Sequence, residues 1–304
     1  MAATVEIARI QNAQRAAATL SRESVCAALR LDFALDRACG RTLLSASRQE
    51  PPLRVVRAFA TEDGAALAHL HNVSGGLLGG DLLKLDVQAG AGTNVQITTT
   101  GATRIYRPRC DVAAATQLNT IAVGRDAILE YLPDAIIPFA GARFAQRTEI
   151  RMEAGAGLFW WEILASGREA SGEAFQYESV DLKLDLSVTG KLVAMERMRL
   201  EPAKREMSAV ARMGVYSTWV TFYICREGVE SSGWSALEGE LRGLVETFGE
   251  KEGLWGVSRL AAHGIAVRCL TRHGSRLLLR LHEIWNDAKK RLYRRPALPP
   301  RKVN

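Results

Sequence analysis

Residues 83–100 read Leu-Lys-Leu-Asp-Val-Gln-Ala-Gly-Ala-Gly-Thr-Asn-Val-Gln-Ile-Thr-Thr-Thr. Residues 147–164 read Arg-Thr-Glu-Ile-Arg-Met-Glu-Ala-Gly-Ala-Gly-Leu-Phe-Trp-Trp-Glu-Ile-Leu. Each stretch is a strand-like run, an Ala-Gly-Ala-Gly tetrad and a second strand-like run. Apolar and polar residues alternate in the first runs, which is the period of a half-buried strand. Matching the tetrads by identity, Ala89 with Ala154, sets a repeat of 65 residues. Leu118–Val123 leads through Gly124-Arg125-Asp126 into Ala127–Leu132, and Leu182–Val188 through Thr189-Gly190 into Leu192–Leu200. Such strand–turn–strand units, spaced by roughly 30–35 residues, bury their apolar faces only by stacking on one another. The pattern predicts a mainly β chain of layered or superhelical build, either β-helix-like or sandwich-like.

The flanks extend this reading. Leu29, Leu31, Phe33 and Leu35 share one strand face, and Gly40 turns the chain into Arg41–Ala46. Gly214–Cys225 is apolar on both faces, so it predicts a strand covered on both sides. Ser235-Ala-Leu-Glu238 has the form of a capping box before a helical stripe of Leu237, Leu241, Leu244, Val245 and Phe248. Ile265, Val267 and Cys269 make a short strand. Leu277, Leu281, Ile284, Trp285, Ala288 and Leu292 mark a second C-terminal helix, ended by Pro296, Pro299 and Pro300. Residues 1–27 are Ala-rich and polar and read as a variable leader. Residues 28–304 read as one β-rich domain with two C-terminal helices and a basic, proline-containing tail.

The chain has 304 residues, 47% of them hydrophobic and 24% charged, as in ordinary globular proteins with a sizeable core. Net charge is +7, with the excess gathered in Arg280, Lys289, Lys290, Arg291, Arg294, Arg295, Arg301 and Lys302. That run reads as a solvated helix face and tail. No stacking platform or recognised module accompanies it, so no nucleic-acid role is expected. The expected setting is cytoplasmic, because the N-terminus lacks a signal-peptide core and no apolar run is long enough to cross a membrane. The five cysteines form no Cys-x-x-Cys and read as buried reduced thiols.

Catalytic signatures are missing. Ser74-Gly-Gly-Leu-Leu-Gly-Gly-Asp81 is neither a phosphate-binding P-loop nor a Gly-x-Gly-x-x-Gly turn. Gly75, Gly76, Gly79 and Gly80 therefore read as a tight β-connection with a backbone role. His69 and His71 lie two apart on one strand face without a third ligand. No Gly-x-Ser-x-Gly elbow occurs. Glu130 and Glu162 stand inside apolar runs, and a buried carboxylate needs a partner or a role. Arg104, Arg143 and Arg168 are candidate bidentate partners for such carboxylates.

One resemblance goes further. His71-Asn-Val-Ser-Gly-Gly-Leu-Leu-Gly-Gly-Asp81 resembles the glycine-rich block of the urease accessory protein UreD (UreH) family. Further blocks follow in the family's order: Gly40–Leu44 with Pro52–Arg57, Ile97–Tyr106, Leu129–Phe144, and Trp161–Arg168 with Gly172–Phe175. The Leu129–Phe144 block, with its Glu-Tyr-Leu-Pro-Asp core, is the most specific match.

The resemblance implies a β-rich superhelical fold with added helices, and a non-enzymatic role. It implies docking on apo-urease together with the accessory protein UreF and the GTPase UreG, and delivery of nickel along an internal route. No tightly bound cofactor is expected, only nickel in transit. Metal that must leave again suits scattered carboxylates better than soft thiolates. Asp81, Glu130, Asp134, Glu162 and Glu173 are thus the candidate residues that line or brace a polar path. Two other readings compete. A β-helical enzyme acting on an extended saccharide needs carboxylates paired at about 5–10 Å. A plain interaction scaffold needs no metal passage.

Overall fold

Leu83, Leu85, Val87 and Ala89 form the buried face of the strand Leu82–Ala89. Residues 90–93 then carry the chain to Asn94–Thr99, which belongs to a different sheet. The same step recurs from Ala115–Val123 through 124–127 to Ile128–Tyr131, and from Arg143–Met152 through 153–156 to Gly157–Ala165. These three units are coils. In the first layer Ala89 lies beside Val123 and Val123 beside Met152, all in parallel pairing. In the second layer Asn94 lies beside Ile128 and Ile128 beside Gly157, again in parallel. Parallel stacking in both layers selects the β-helix-like alternative, since sandwich domains of the Greek-key type are antiparallel.

The computed structural model describes residues 24–109, 112–272 and 276–300. The expected leader up to residue 23, Cys110, Arg301 and Lys302 lie outside the described residues.

Every coil turns by the same arch. The third arch residue takes a left-handed conformation: Gly92 (φ 70°), Asp126 (φ 55°) and Gly155 (φ 70°). Equivalent hydrogen bonds close the three arches, Thr93 N–H to Gly90 O, Ala127 N–H to Gly124 O and Ala156 N–H to Glu153 O. Gly92 is therefore equivalent to Gly155, whereas matching the tetrads by letters equates Gly92 with Gly157. The letter match is two residues out, because the arch selects for a backbone conformation at one position and not for the tetrad as a unit.

The coils stop at Thr189 and Gly190. Both take positive φ, 47° and 80°. Two such residues make the tight turn that suits a β-hairpin. Strand Lys191–Leu200 consequently folds back antiparallel on Ser179–Val188 within the first layer. Among the described residues the first layer has seven strands and the second eleven. The second is extended by antiparallel strands Thr218–Arg226, Gly264–Thr271 and Leu254–Arg259.

Helices α1 (Ser231–Glu246) and α2 (Leu277–Tyr293) cover the outer face of the second layer. Two apolar cores result. Leu29, Leu85, Ile121, Phe144, Leu158 and Trp160 fill the space between the layers. Phe159, Trp161, Phe222, Leu241, Ile284 and Trp285 join the second layer to the helices. Each such side chain contributes about 1.5–3 kcal/mol by leaving water. The whole expected stripe of α2 is buried.

Four expectations need correction. Helix α1 starts at Ser231, so Ser235 lies inside it and its hydroxyl donates to Ser231 O at 3.1 Å instead of capping. Burial of Trp234 against the sheet accounts for the earlier start. The strand expected from Gly214 begins at Thr218, after a turn. Cys26 and Cys39 are exposed, while Cys225 and Cys269 are buried. Lys289 is no part of a solvated basic face, being 5% exposed.

Candidate functional site

The second layer is buried on both sides, so each inward position faces either the space between the layers, the lumen, or the helices. Leu158, Trp160 and Leu164 face the lumen, and Glu162 shares their parity. Leu129 and Tyr131 face the lumen too, which turns Glu130 toward the helices. The two carboxylates of the apolar runs thus lie on opposite faces.

Glu130 is held by a complete set of partners. Its Oε1 accepts from Lys289 Nζ at 2.8 Å and Trp285 Nε1 at 3.1 Å, and its Oε2 from Gln96 Nε2 at 3.1 Å. Lys289 also lies 3.7 Å from Asp63, and Gln96 donates to Leu298 O at 3.0 Å. Burial pushes the Glu130 carboxyl above its ordinary value, and the Lys289 charge pulls it back. The group pins α2 and the segment after it to the sheet.

Glu162 has a different setting. Its Oε1 accepts one hydrogen bond, from Gln146 Nε2 at 2.5 Å. Burial pushes its pKa up to about 7; the Gln146 bond opposes the rise, the Glu196 charge adds to it, and the nearby Trp160 indole opposes it again. Thr221 pairs with Glu162 in register, and its buried hydroxyl has no hydrogen-bond partner among the described residues.

A cavity of about 200 Å³ lies in the lumen. Its deep wall is formed by buried Asn119, Gln146 and Glu162, with Tyr131 and Leu85. Gln117 donates to Asn119 at 3.0 Å and Asn119 to Thr148 at 3.0 Å, so amides ladder across the first layer. Asp134 also lines the cavity; its Oδ2 accepts from the Thr99 hydroxyl at 3.2 Å, and its N–H donates back to Thr99 Oγ1 at 2.8 Å. The mouth is formed by exposed Gly75, Thr100, Gly101 and Arg104.

The remaining candidates are placed elsewhere. Asp81 is buried and accepts the backbone N–H groups of Val25 at 3.0 Å and Leu78 at 2.8 Å, tying the glycine run to the first strand. Glu173 accepts two hydrogen bonds from the Arg168 guanidinium and one from Ala140 N–H at 3.2 Å. The Arg168 bonds hold its carboxyl below the ordinary range. Arg143 lies 3.6 Å from Glu178 and donates to Val112 O. Among the three arginines, only Arg168 meets one of the five carboxylates.

The glycine run joins the second-layer strand Ala66–Asn72 to Leu82–Ala89 and forms part of the mouth. A Cβ at Gly76 would stand 2.6 Å from Arg104 O, and one at Gly79 2.3 Å from Pro108 Cβ. The run lies flat against 104–108, an approach that only glycine permits. His69 is buried edge-on to Phe59, and among the described residues no three His, Cys, Asp or Glu side chains converge as a metal cage.

Gln117, Asn119, Gln146 and Thr148 escaped the sequence reading. Their signal is polar residues at the inward parity of strands whose other inward positions are apolar, such as Gln146 between Phe144 and Ile150. No helix among the described residues is long and apolar enough to cross a membrane.

A UreD from Herpetosiphon aurantiacus is 43% identical over 277 residues, covering 90% of this chain and 95% of that one. The protein called UreD 2 in Brucella abortus is 29% identical over 273 residues, 86% of each chain. A UreD from Halalkalibacterium halodurans is 34% identical over 189 residues, 62% of this chain and 69% of that one. The family model described as UreD urease accessory protein matches residues 25–304, and this chain belongs to that family.

Proposed function

We propose that the chain is a non-enzymatic platform that docks on apo-urease with UreF and UreG, and that nickel bound for the urease active site passes through the lumen. The make-up of the cavity carries this reading. Two carboxylates, Asp134 and Glu162, line it together with several amides and hydroxyls and with Arg104 at the mouth, and no cage of three strong ligands occurs among the described residues. Hard oxygen donors in small number let a borderline metal go, whereas thiolates hold it. Membership of an accessory-protein family supports a helper role over a catalytic one. Of the five candidate carboxylates, Asp134 and Glu162 line the path, while Asp81, Glu130 and Glu173 brace the frame around it.

The test is nickel delivery by the complete assembly. The chain is purified with UreF, UreG and apo-urease, and nickel in the urease is measured by elemental analysis. D134N and E162Q are expected to lower incorporation several-fold, with the assembly intact by gel filtration. E173Q is expected to match the wild type. Full incorporation by the D134N/E162Q double variant would overturn the lumen route.

A further inference from the structure

Arg104 stands at the mouth of the lumen with a fixed backbone and a free head. Its carbonyl accepts Leu77 N–H at 2.8 Å, and Tyr106 N–H donates to Leu77 O at 2.8 Å, so Leu77 holds this strand along one edge. Arg104 also pairs with Ile137 where Thr103–Ile105 runs beside Ile136–Pro138. The Gly76 approach closes the seat, since a Cβ there would meet Arg104 O. The guanidinium is exposed and makes no hydrogen bond or ion pair with a described residue. Among the described residues it is the one basic residue lining a cavity that holds Asp134 and Glu162.

We propose that Arg104 is a charge gate: its guanidinium holds divalent cations out of the lumen of the isolated chain, and a carboxylate supplied by a docked protein neutralises it and opens the way. The inference rests on the lumen being a cation route. A fixed charge at the mouth of a low-dielectric cleft acts through a focused field. A guanidinium stays ionised at every relevant pH, so the gate answers to a counter-charge and not to acidity. Its best-fitting counter-charge is a carboxylate bound through both oxygens. The lumen then fills only once the assembly is complete, which keeps nickel from loading where it has no destination.

The experiment is stopped-flow uptake of Ni²⁺ by the full chain at low ionic strength. R104Q is expected to take up nickel about tenfold faster than wild type, at the modest end of what a focused field does to association rates. R104K keeps the charge and is expected to stay slow. The difference should shrink in concentrated salt, where the screening length falls to about 3 Å. A tetraglutamate peptide, the probe for an outside carboxylate, should speed uptake by wild type and leave R104Q unchanged. Equal rates for wild type and R104Q, or no response of wild type to the peptide, overturn the gate. If, with tetraglutamate present, D134N/E162Q takes up nickel as wild type does, the lumen route itself has failed, and the gate falls with its premise. That outcome is told apart because it does not involve Arg104.

Discussion

Glu130 and Glu162 sit on neighbouring strands of one sheet, each inside an apolar run, each almost without exposure. One meets a lysine, a tryptophan and a glutamine; the other accepts one bond from a side-chain amide, with the Trp160 indole beside it and no counter-charge. The face decides the difference. On the helix side, α2 is free to bring a charge on a long side chain to whatever the sheet presents. On the lumen side, the opposing surface is another sheet, whose short strand-borne amides and hydroxyls are what can reach. A buried charge that is fully partnered fixes structure. A buried charge with a half-filled shell keeps capacity for something else.

Four single variants and one double variant break or sharpen this contrast. K289M leaves Glu130 buried without its counter-charge, with only the Trp285 and Gln96 donors, and should cost about 3–5 kcal/mol in urea unfolding. The E130Q/K289M double variant should recover a large part of that loss, and a double as unstable as the single would break the pairing argument.

E162Q comes next, and its effect depends on pH. The Glu162 pKa is raised in the fold to about 7, so the folded state holds its proton more tightly than the unfolded chain does. Below the unfolded value both states are protonated and the carboxyl costs nothing. Stability falls as pH rises from there through 7 and levels off above it, by about 3 kcal/mol in all. E162Q should flatten this slope, so that its advantage over wild type in thermal melts appears at pH 8 and vanishes near pH 4. An equal difference at both pH values would show Glu162 to be solvated.

Q96L removes a donor from Glu130 and from Leu298 O, and should cost about 1–3 kcal/mol in urea unfolding. T221V sits on the lumen face, where the hydroxyl it removes bonds to no described residue. Its melting temperature should stay within the shift that about 0.5 kcal/mol produces. A large loss would reveal a bound partner for that hydroxyl.

Part of this was legible in the chain. The alternation of Leu29, Leu31 and Phe33 and the stripe from Leu277 to Leu292 each follow from one periodicity meeting one apolar surface. The two glutamates were legible as buried but not as different. Their strands are apolar at both parities, so the pattern carries no information about which face is which. Lys289 was hidden for a related reason: it sits among basic residues that do point to water, and its partner lies far away in sequence. The arch repeat was visible as glycine and misaligned by letters, because only the third arch position needs a left-handed backbone; in the middle coil Asp126 fills it without resembling glycine.

The hairpin at Thr189 and Gly190 has a consequence for how many copies of the motif the protein contains. A stack of parallel coils has no intrinsic length; nothing within one coil says that it is the last. Here the count is set by a two-residue turn that keeps the next strand in the same layer, where it becomes an edge. That edge, Lys191–Leu200, carries Lys191, Arg197 and Arg199, charges that discourage another strand from adding. A four-residue arch in its place would send the chain across to the second layer and leave an open template behind. Two residues therefore hold the chain in the first layer, while Thr218–Arg226 takes the place beside Gly157–Ala165 that a further coil would need.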